Sequence, residues 1–488
     1  DSHRISKHAL SEEAFEVAIQ SDGKIIAAGS TIDFGPSSFA LARYNTDGTL
    51  DASFGTGGRV TTDFDLGSGA YDVAIQPDGK ILAAGVAFSN VSDSQEFAIV
   101  RYNADGSLDS TFGSGGKVTT DFFGSSDVAF AVIIQGDGKI VLGGTAIDQN
   151  LQRTDFALAR YNTDGSLDTS FGSGGKITTD FFGRANFLND LALQPDGKLI
   201  ATGTAFNSNG DDLFALSRYN VDGSLDPTFG SGGKVTTLLG IRASAVGAGL
   251  QPSGKIVVAG DSLTDSGVHF ALAQYNTDGT LDSTFGSSGK VISDVLGSAV
   301  ALAIYPDGKI VVGGITSFTD GDFILARYNT DGSIDTTFGS SGNVTTDFSG
   351  DADLLKDLTI QPDGKIIAAG GTMIANSDFA LARYDGGLQQ LAFDRCIQDE
   401  SNGSILQFNS TSGDYQFTNC SGITSSGTGS VMRKGGIITL QHNAPDRRVL
   451  ARVDTSVNKA TANIQLLSQR ITFTITDRNT ANNTCACR

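Results

Sequence analysis

One short motif limits the fold more than any other feature of this chain. Asp-Gly-Lys, once Ser-Gly-Lys, recurs seven times, with its glycine at Gly23, Gly79, Gly138, Gly197, Gly254, Gly308 and Gly364. The intervals are 56, 59, 59, 57, 54 and 56 residues. A period this regular describes one supersecondary unit copied along an array or around a ring. A second landmark, Phe-x-Leu-(Ala/Ser)-x-Tyr in most copies, keeps step with it from Phe39 and Tyr44 to Phe379 and Tyr384.

Each unit reads as four short strands. In the second copy these are Asp72–Gln76, Lys80–Gly85, Glu96–Tyr102 and Lys117–Phe122. Pro-Asp-Gly between two apolar runs makes a hairpin, because Pro presets φ and Gly accepts the left-handed position. The first three strands are apolar on both faces, so both faces are covered. Gly at 62 of 488 positions supplies the turns and argues against a helical protein. Seven covered antiparallel sheets predict an all-β, seven-bladed β-propeller. The small residues ending the second strand, as in Ala27-Ala28-Gly29, suggest close approach of neighbouring blades.

The Pro-Asp-Gly hairpin and the run Tyr-Asn-Thr-Asp-Gly-Ser-Leu-Asp-x-x-Phe-Gly-x-Gly-Gly resemble the bacterial delta-60 repeat family over about residues 11–384. The resemblance implies a β-propeller in exported or surface proteins and no particular activity.

There are seven hairpins but only six Val-Thr-Thr strands. The seventh unit ends after Tyr384. Arg4, Ile5, Ser6 and Lys7 resemble Lys-Val-Thr-Thr in pattern, so residues 3–9 are expected to close blade seven as its outermost strand. Donation of that strand to a neighbouring molecule is the alternative. The propeller then spans 1–386.

From 388 to 488 the repeat vanishes and alternating stretches predict a small β-sandwich-like domain. It resembles a C-terminal cysteine-bearing β domain of exported bacterial proteins. All four cysteines, Cys396, Cys420, Cys485 and Cys487, lie here. Their even number and clustering read as disulfides in an oxidising compartment, with a zinc site as the weaker reading. The start at Asp1 fits export through a removed signal peptide. The tail carries 10 Lys/Arg and 7 Asp/Glu, against 24 and 47 in the remainder.

A formal net charge of -20 disfavours a nucleic-acid partner, and no apolar run is long enough to span a bilayer as a helix. Asn45, Asp47 and Asp51, and their counterparts Asn103, Asp105 and Asp109, place oxygens around a Gly turn in a way that partly resembles a calcium loop. The competing reading makes them turn and helix caps. No other cofactor is indicated. Arg43 and its counterparts are expected to pair with a repeat carboxylate such as Asp63 or Asp121. His3, His8, His269 and His442 share no motif, and no Ser/His/Asp arrangement, phosphate loop or HExxH stands out. The obvious polar positions recur in nearly every copy and therefore serve the blade.

The sequence reading is thus a secreted or cell-surface, non-enzymatic structural or recognition module. Its partners would be itself, another surface protein or a glycan, with assembly into a fibre or layer as one form of the role. The alternative is an extracellular glycan-active hydrolase or lyase with its site in the propeller channel.

Overall fold

The computed structural model describes residues 3–4 and 11–386, apart from 33–35, 65, 90–93, 317–320, 349–351 and 373–377; after 386 it describes backbone strands alone. The chain divides into two units, Asp1–Gly387 and Leu388–Arg488.

The first unit is a seven-bladed β-propeller. Blade one consists of Ser11–Ile19, Ile25–Ile32, Ser38–Tyr44 and Arg59–Thr62, paired antiparallel in that order. Blades two to six repeat this meander. Successive innermost strands touch all the way around, and Ser11–Ile19 of blade one meets Asp353–Ile360 of blade seven. The strands run longer than the motif suggested, Ser68–Ile75 and Ile81–Ser89 in blade two, because pairing continues past the apolar runs.

Blade seven has three strands from its own repeat. Its fourth is His3–Arg4, antiparallel to Asp378–Tyr384, with His3 opposite Leu381 and Arg4 opposite Ala380. In blade one Val60 lies opposite Leu41 and Thr61 opposite Ala40. The observed register therefore puts His3 in the valine position, two residues from the register that matching Ile5 to valine would give.

The core consists of layers between blades rather than one centre. Between blades two and three, for example, Leu82, Phe97, Ile99 and Phe112 pack on Ala129, Ile140, Leu142 and Tyr161, all fully buried. Tyr102 then donates to Thr62 Oγ1 of the preceding blade at 2.8 Å, and Tyr161 to Thr120 Oγ1 at 2.7 Å. Each buried phenol thus keeps a partner, as buried polar groups must.

Gly29 and its counterparts are set first by their own blade, while Gly143, Gly313 and Gly314 also meet a neighbouring blade, at Leu191, Leu358 and Phe270, as the sequence suggested. A Cβ on Gly29 would meet Glu13 O of its own blade at 1.9 Å, and one on Gly85 would meet Gly69 O at 2.0 Å. The cause is a β-bulge in every innermost strand, between Ala14 and Glu16 in blade one and Ala70 and Asp72 in blade two.

In the second unit, strands from Arg395–Gln398 to Ile475–Thr476 form one nine-stranded antiparallel sheet. Among the described residues no helix is long and apolar enough to cross a membrane.

Candidate functional site

The bulge places one extra residue per blade on the innermost strand, where the ring of strands surrounds its axis. Those residues are Phe15, Tyr71, Phe130, Asn189, Val246, Val300 and Lys356. All seven are partly exposed. Unlike the turn residues they are not repeats of one another. Phe15 and Tyr71 meet edge-on at 5.0 Å between centroids, and Tyr71 and Phe130 at 5.5 Å. Lys356 extends this arc from the other side. Its Nζ lies 5.3 Å from the Phe15 centroid and 2.9 Å from Glu13 Oε1. Half of the channel is thus aromatic and cationic, while Val246 and Val300 leave the far side small and apolar.

In four of the seven blades the next residue along the strand is a carboxylate: Glu16, Asp72, Asp190 and Asp357. Asp357 Oδ2 accepts from Val17 N of blade one at 3.0 Å, and Asp190 Oδ2 from Ala248 N of blade five at 2.8 Å. Asp72 accepts likewise from Val132 N. These acids therefore stitch blade to blade. Burial, and then the negative charges of Asp357 and Asp72, push the Glu16 carboxyl well above its usual value. Burial raises Asp72 to about 7 and Asp190 and Asp357 to about 6. Glu16 and Asp357 are hydrogen-bonded to each other. A proton shared between two carboxyls can be given and taken back, which is what general acid–base chemistry needs.

The residues singled out as calcium candidates close turns and bind protein cations. Asp47 Oδ1 accepts from Thr49 N at 2.9 Å, and Asn45 Nδ2 donates to Thr49 Oγ1 at 3.1 Å. Asp105 Oδ1 accepts from Ser107 N at 2.9 Å, and Asn103 Nδ2 donates to Ser107 Oγ at 2.9 Å. Asp51 Oδ2 accepts from Lys24 Nζ at 2.8 Å and Arg43 Nε at 2.8 Å. Asp109 is held in the same way by Arg101 at 2.8 Å and Lys80 at 3.1 Å. Arg43 thus pairs with Asp51 eight residues on, not with Asp63 or Asp121. The long connection folds back over the end of its own strand and brings the nearer acid to it. Each guanidinium also reaches the next blade; Arg383 Nη1 closes the ring on Thr46 O at 2.7 Å.

Asp322, Asp347 and Asp353 bring carboxylate oxygens within 4.8 Å of one another between blades six and seven, a grouping able to take a cation. The sequence reading missed it, because its members come from three separate strands and loops. His269, which the sequence reading left without a role, has its Nδ1 2.8 Å from Ser293 O and its Nε2 2.9 Å from Ser266 Oγ. A backbone carbonyl only accepts, so Nδ1 carries the proton. Of the proposed closing strand, Arg4 lies in the pairing just described, while Ile5, Ser6 and Lys7 lie outside the described residues. Cys396 lies in the strand Arg395–Gln398, and Cys420, Cys485 and Cys487 are outside the described residues.

Seven segments of the chain, 20–54, 76–112, 135–171, 194–229, 251–285, 306–338 and 361–386, match the family model described as domain of unknown function (DUF5122) beta-propeller. One matched segment falls in each of the seven blades, from the hairpin turn through the second and third strands. The matched segments end at residue 386. Among solved structures, a streptogramin B lyase is 10% identical, with a TM-score of 0.47, over 79% of this chain and 97% of that one. The polysaccharide lyase Uly1 is 11% identical, with a TM-score of 0.46, over 78% and 92%. Extracellular domains 1–2 of Drosophila Semaphorin 1b are 8% identical, with a TM-score of 0.42, over 82% and 93%. A comparison with curated proteins finds no match.

The expectation of a non-enzymatic protein is corrected. Two of these similar structures are lyases, and structures so distant speak only of the fold. The ground for excluding catalysis also fails within the chain itself. Repeated polar positions serve the blades, as expected, but the axial residues are not repeated and were invisible to that argument.

Proposed function

We propose that the propeller channel is a carbohydrate-processing site, acting as a glycan hydrolase or lyase outside the cell or at its surface. The observation that carries this reading is the placement of Phe15, Tyr71 and Phe130 in one arc beside the hydrogen-bonded pair Glu16–Asp357. Flat aromatic faces suit the apolar C–H faces of sugar rings. Glu16, whose burial favours the protonated carboxyl, would protonate the leaving glycosidic oxygen. A neighbouring ionised carboxyl of the set would take the proton lost by the attacking water in a hydrolase, or by the sugar carbon as the C=C bond forms and the glycosidic oxygen leaves in a lyase. Lys356 supplies a cation at the end of the arc.

The test is a panel of neutral and acidic polysaccharides, read by new reducing ends and by ultraviolet absorbance of unsaturated products. Turnover is expected for at least one class, with Glu16→Gln about 100-fold slower or worse and Tyr71→Ala raising KM. No turnover across the panel, or a Glu16→Gln enzyme as fast as the parent, would sink the reading.

A further inference from the structure

One face of the propeller carries the Asp-Gly hairpin turns and the long connections; the other carries the loops between second and third strands. On that second face blade five departs from the repeat in two places. The residue before the repeated phenylalanine is Ser38, Glu96, Asp155, Leu213, Asp322 or Asp378 in the other blades, and His269 here. The fourth strand of blade five, Lys290–Leu296, has 7 residues, where blades one to four and blade six have 4. Pairing therefore continues past Ala271 until Leu296 stands opposite His269, with an irregularity between His269 and Ala271.

These two departures assemble a hydrogen-bonded chain of groups. Ser266 belongs to the two-residue turn Asp265-Ser266 between the second and third strands and is exposed, while His269 is buried. Ser266 Oγ lies 2.9 Å from His269 Nε2. Because Nδ1 donates its proton to Ser293 O at 2.8 Å, Nε2 keeps a lone pair that accepts from the Ser266 hydroxyl. Ser293 is itself pinned: its Oγ accepts from the Tyr328 hydroxyl at 2.8 Å and from Val295 N at 3.2 Å. Thr264 Oγ1 lies 2.8 Å from Ser266 Oγ and accepts from Ser266 N at 3.1 Å, which steadies the turn from its other side. A reachable hydroxyl, a base within hydrogen-bond distance of it, and a fixed group that orients the base are the parts of an activated nucleophile. Here a main-chain carbonyl fixes the tautomer, as a carboxylate does in other arrangements.

We propose that Ser266 and His269 are a nucleophile and its general base, and that they hydrolyse uncharged, short-chain carboxylic esters. Ser266 Oγ bonds to the ester carbonyl carbon as its proton passes to His269 Nε2. The tetrahedral adduct then breaks its bond to the alcohol oxygen, which leaves with that proton. Water attacks the resulting acyl-serine and loses a proton to Nε2. Collapse frees the carboxylic acid and returns the proton to Ser266 Oγ. The surroundings select the substrate class. Exposed Leu263 stands opposite Val268, and exposed Leu296 has its Cδ2 3.4 Å from where a Cβ on Gly267 would lie, next to Ser266. Two leucines offer apolar surface for a short acyl group. Exposed Asp265 and Asp294 lie beside the pair in the chain and disfavour an anionic ester. The pair shares no residue with the channel, so this activity and the carbohydrate reading stand or fall separately.

The experiment treats the full chain with a fluorophosphonate probe, maps the adduct by peptide mass spectrometry, and follows hydrolysis of p-nitrophenyl acetate and butyrate. The parent is expected to carry one adduct, on Ser266, and to cleave both esters. Ser266→Ala should abolish the adduct and slow ester cleavage about 100-fold or to background. His269→Gln keeps the serine but removes the base, so labelling should slow about 100-fold or more; a serine that is merely exposed would not respond. Circular dichroism with thermal melting checks that both variants fold. Should His269→Gln melt because the ring is buried, Ser266→Ala, at an exposed turn, decides alone. No adduct on Ser266, ester cleavage unchanged in Ser266→Ala, or a folded His269→Gln labelled as fast as the parent would each overturn the proposal.

Discussion

The repeated ion triad shows how one residue exchange is absorbed. Blade four has Lys198 and Arg218 on Asp226, at 2.8 and 2.9 Å. In blade five the arginine position holds Gln274, and the buried Asp282 keeps only Lys255. Gln274 donates to Gln251 Oε1 at 3.0 Å, and Gln251 donates to Gly308 O of blade six at 3.0 Å, so a neutral relay spans the seam that a guanidinium spans elsewhere. A carboxylate that leaves water is favourable only while fully partnered. Gln274→Arg should therefore stabilise the propeller by about 1 kcal/mol, read as a higher denaturation midpoint. Arg218→Gln should destabilise it by about 1–2 kcal/mol rather than the full cost of an orphaned charge, because Lys198 stays and Gln194 stands where Gln251 does. Equal and negligible shifts for both would show that the guanidinium adds nothing to the lysine. The arginine itself was legible as a repeat feature. Its partner was not, because pairing depends on how the long connection folds back.

At the scale of the strand, what the sequence disclosed and what it hid have separate causes. Turn chemistry is local, so Pro-Asp-Gly and the apolar runs marked the hairpins and their number. The bulge is not local: it is defined by the register of two strands, and no residue type announces it when Phe, Asn, Val and Lys all occupy it. Only the glycine opposite betrays it, and that glycine reads equally well as a spacer between blades. The missing fourth strand was visible as a shortage, but its register was not. A slip of two residues keeps every side chain on its face, so the alternating pattern fits both alignments. The bulge predicts a large cost for Gly85→Ala, about 3 kcal/mol or more, since the added Cβ meets backbone that cannot step aside. Gly136→Pro is the contrasting variant. It lies in a turn with nothing within 4 Å of a Cβ, and five other blades carry Pro there, from Pro77 to Pro362. It should stabilise by about 0.5 kcal/mol. Chemical denaturation separates the two, and a harmless Gly85→Ala would mean that the bulge does not force the glycine.

Over the whole molecule, carboxylates fall into two populations with opposite pH behaviour. On the turn face, Lys24, with help from Ser53, holds Asp51 well below the usual carboxylate range. Such groups add stability above the pKa of the unfolded chain and lose it as pH falls through their lower folded value. In the channel, burial raises Glu16, Asp72, Asp190 and Asp357. Between the unfolded value near 4 and the folded values of about 6 to 7, the folded state holds more protons than the unfolded one. Stability must therefore fall as pH rises through that window. The propeller should be more stable at pH 5 than at pH 8, by a few kcal/mol, and should weaken again in stronger acid. The net charge of -20 pushes in the same direction through surface repulsion. Salt distinguishes the causes, because it screens surface charges far more than carboxyls packed between strands. The preference for pH 5 should persist in high salt and shrink in Asp72→Asn, whose amide cannot ionise. Thermal melting of both proteins at the two pH values, with and without salt, measures this. A preference that vanishes in salt, or that Asp72→Asn leaves intact, would move its origin from the channel to the surface. A preference that survives salt but not the variant would show that the acids stitching the blades together titrate in the range where the proposed acid–base pair must work.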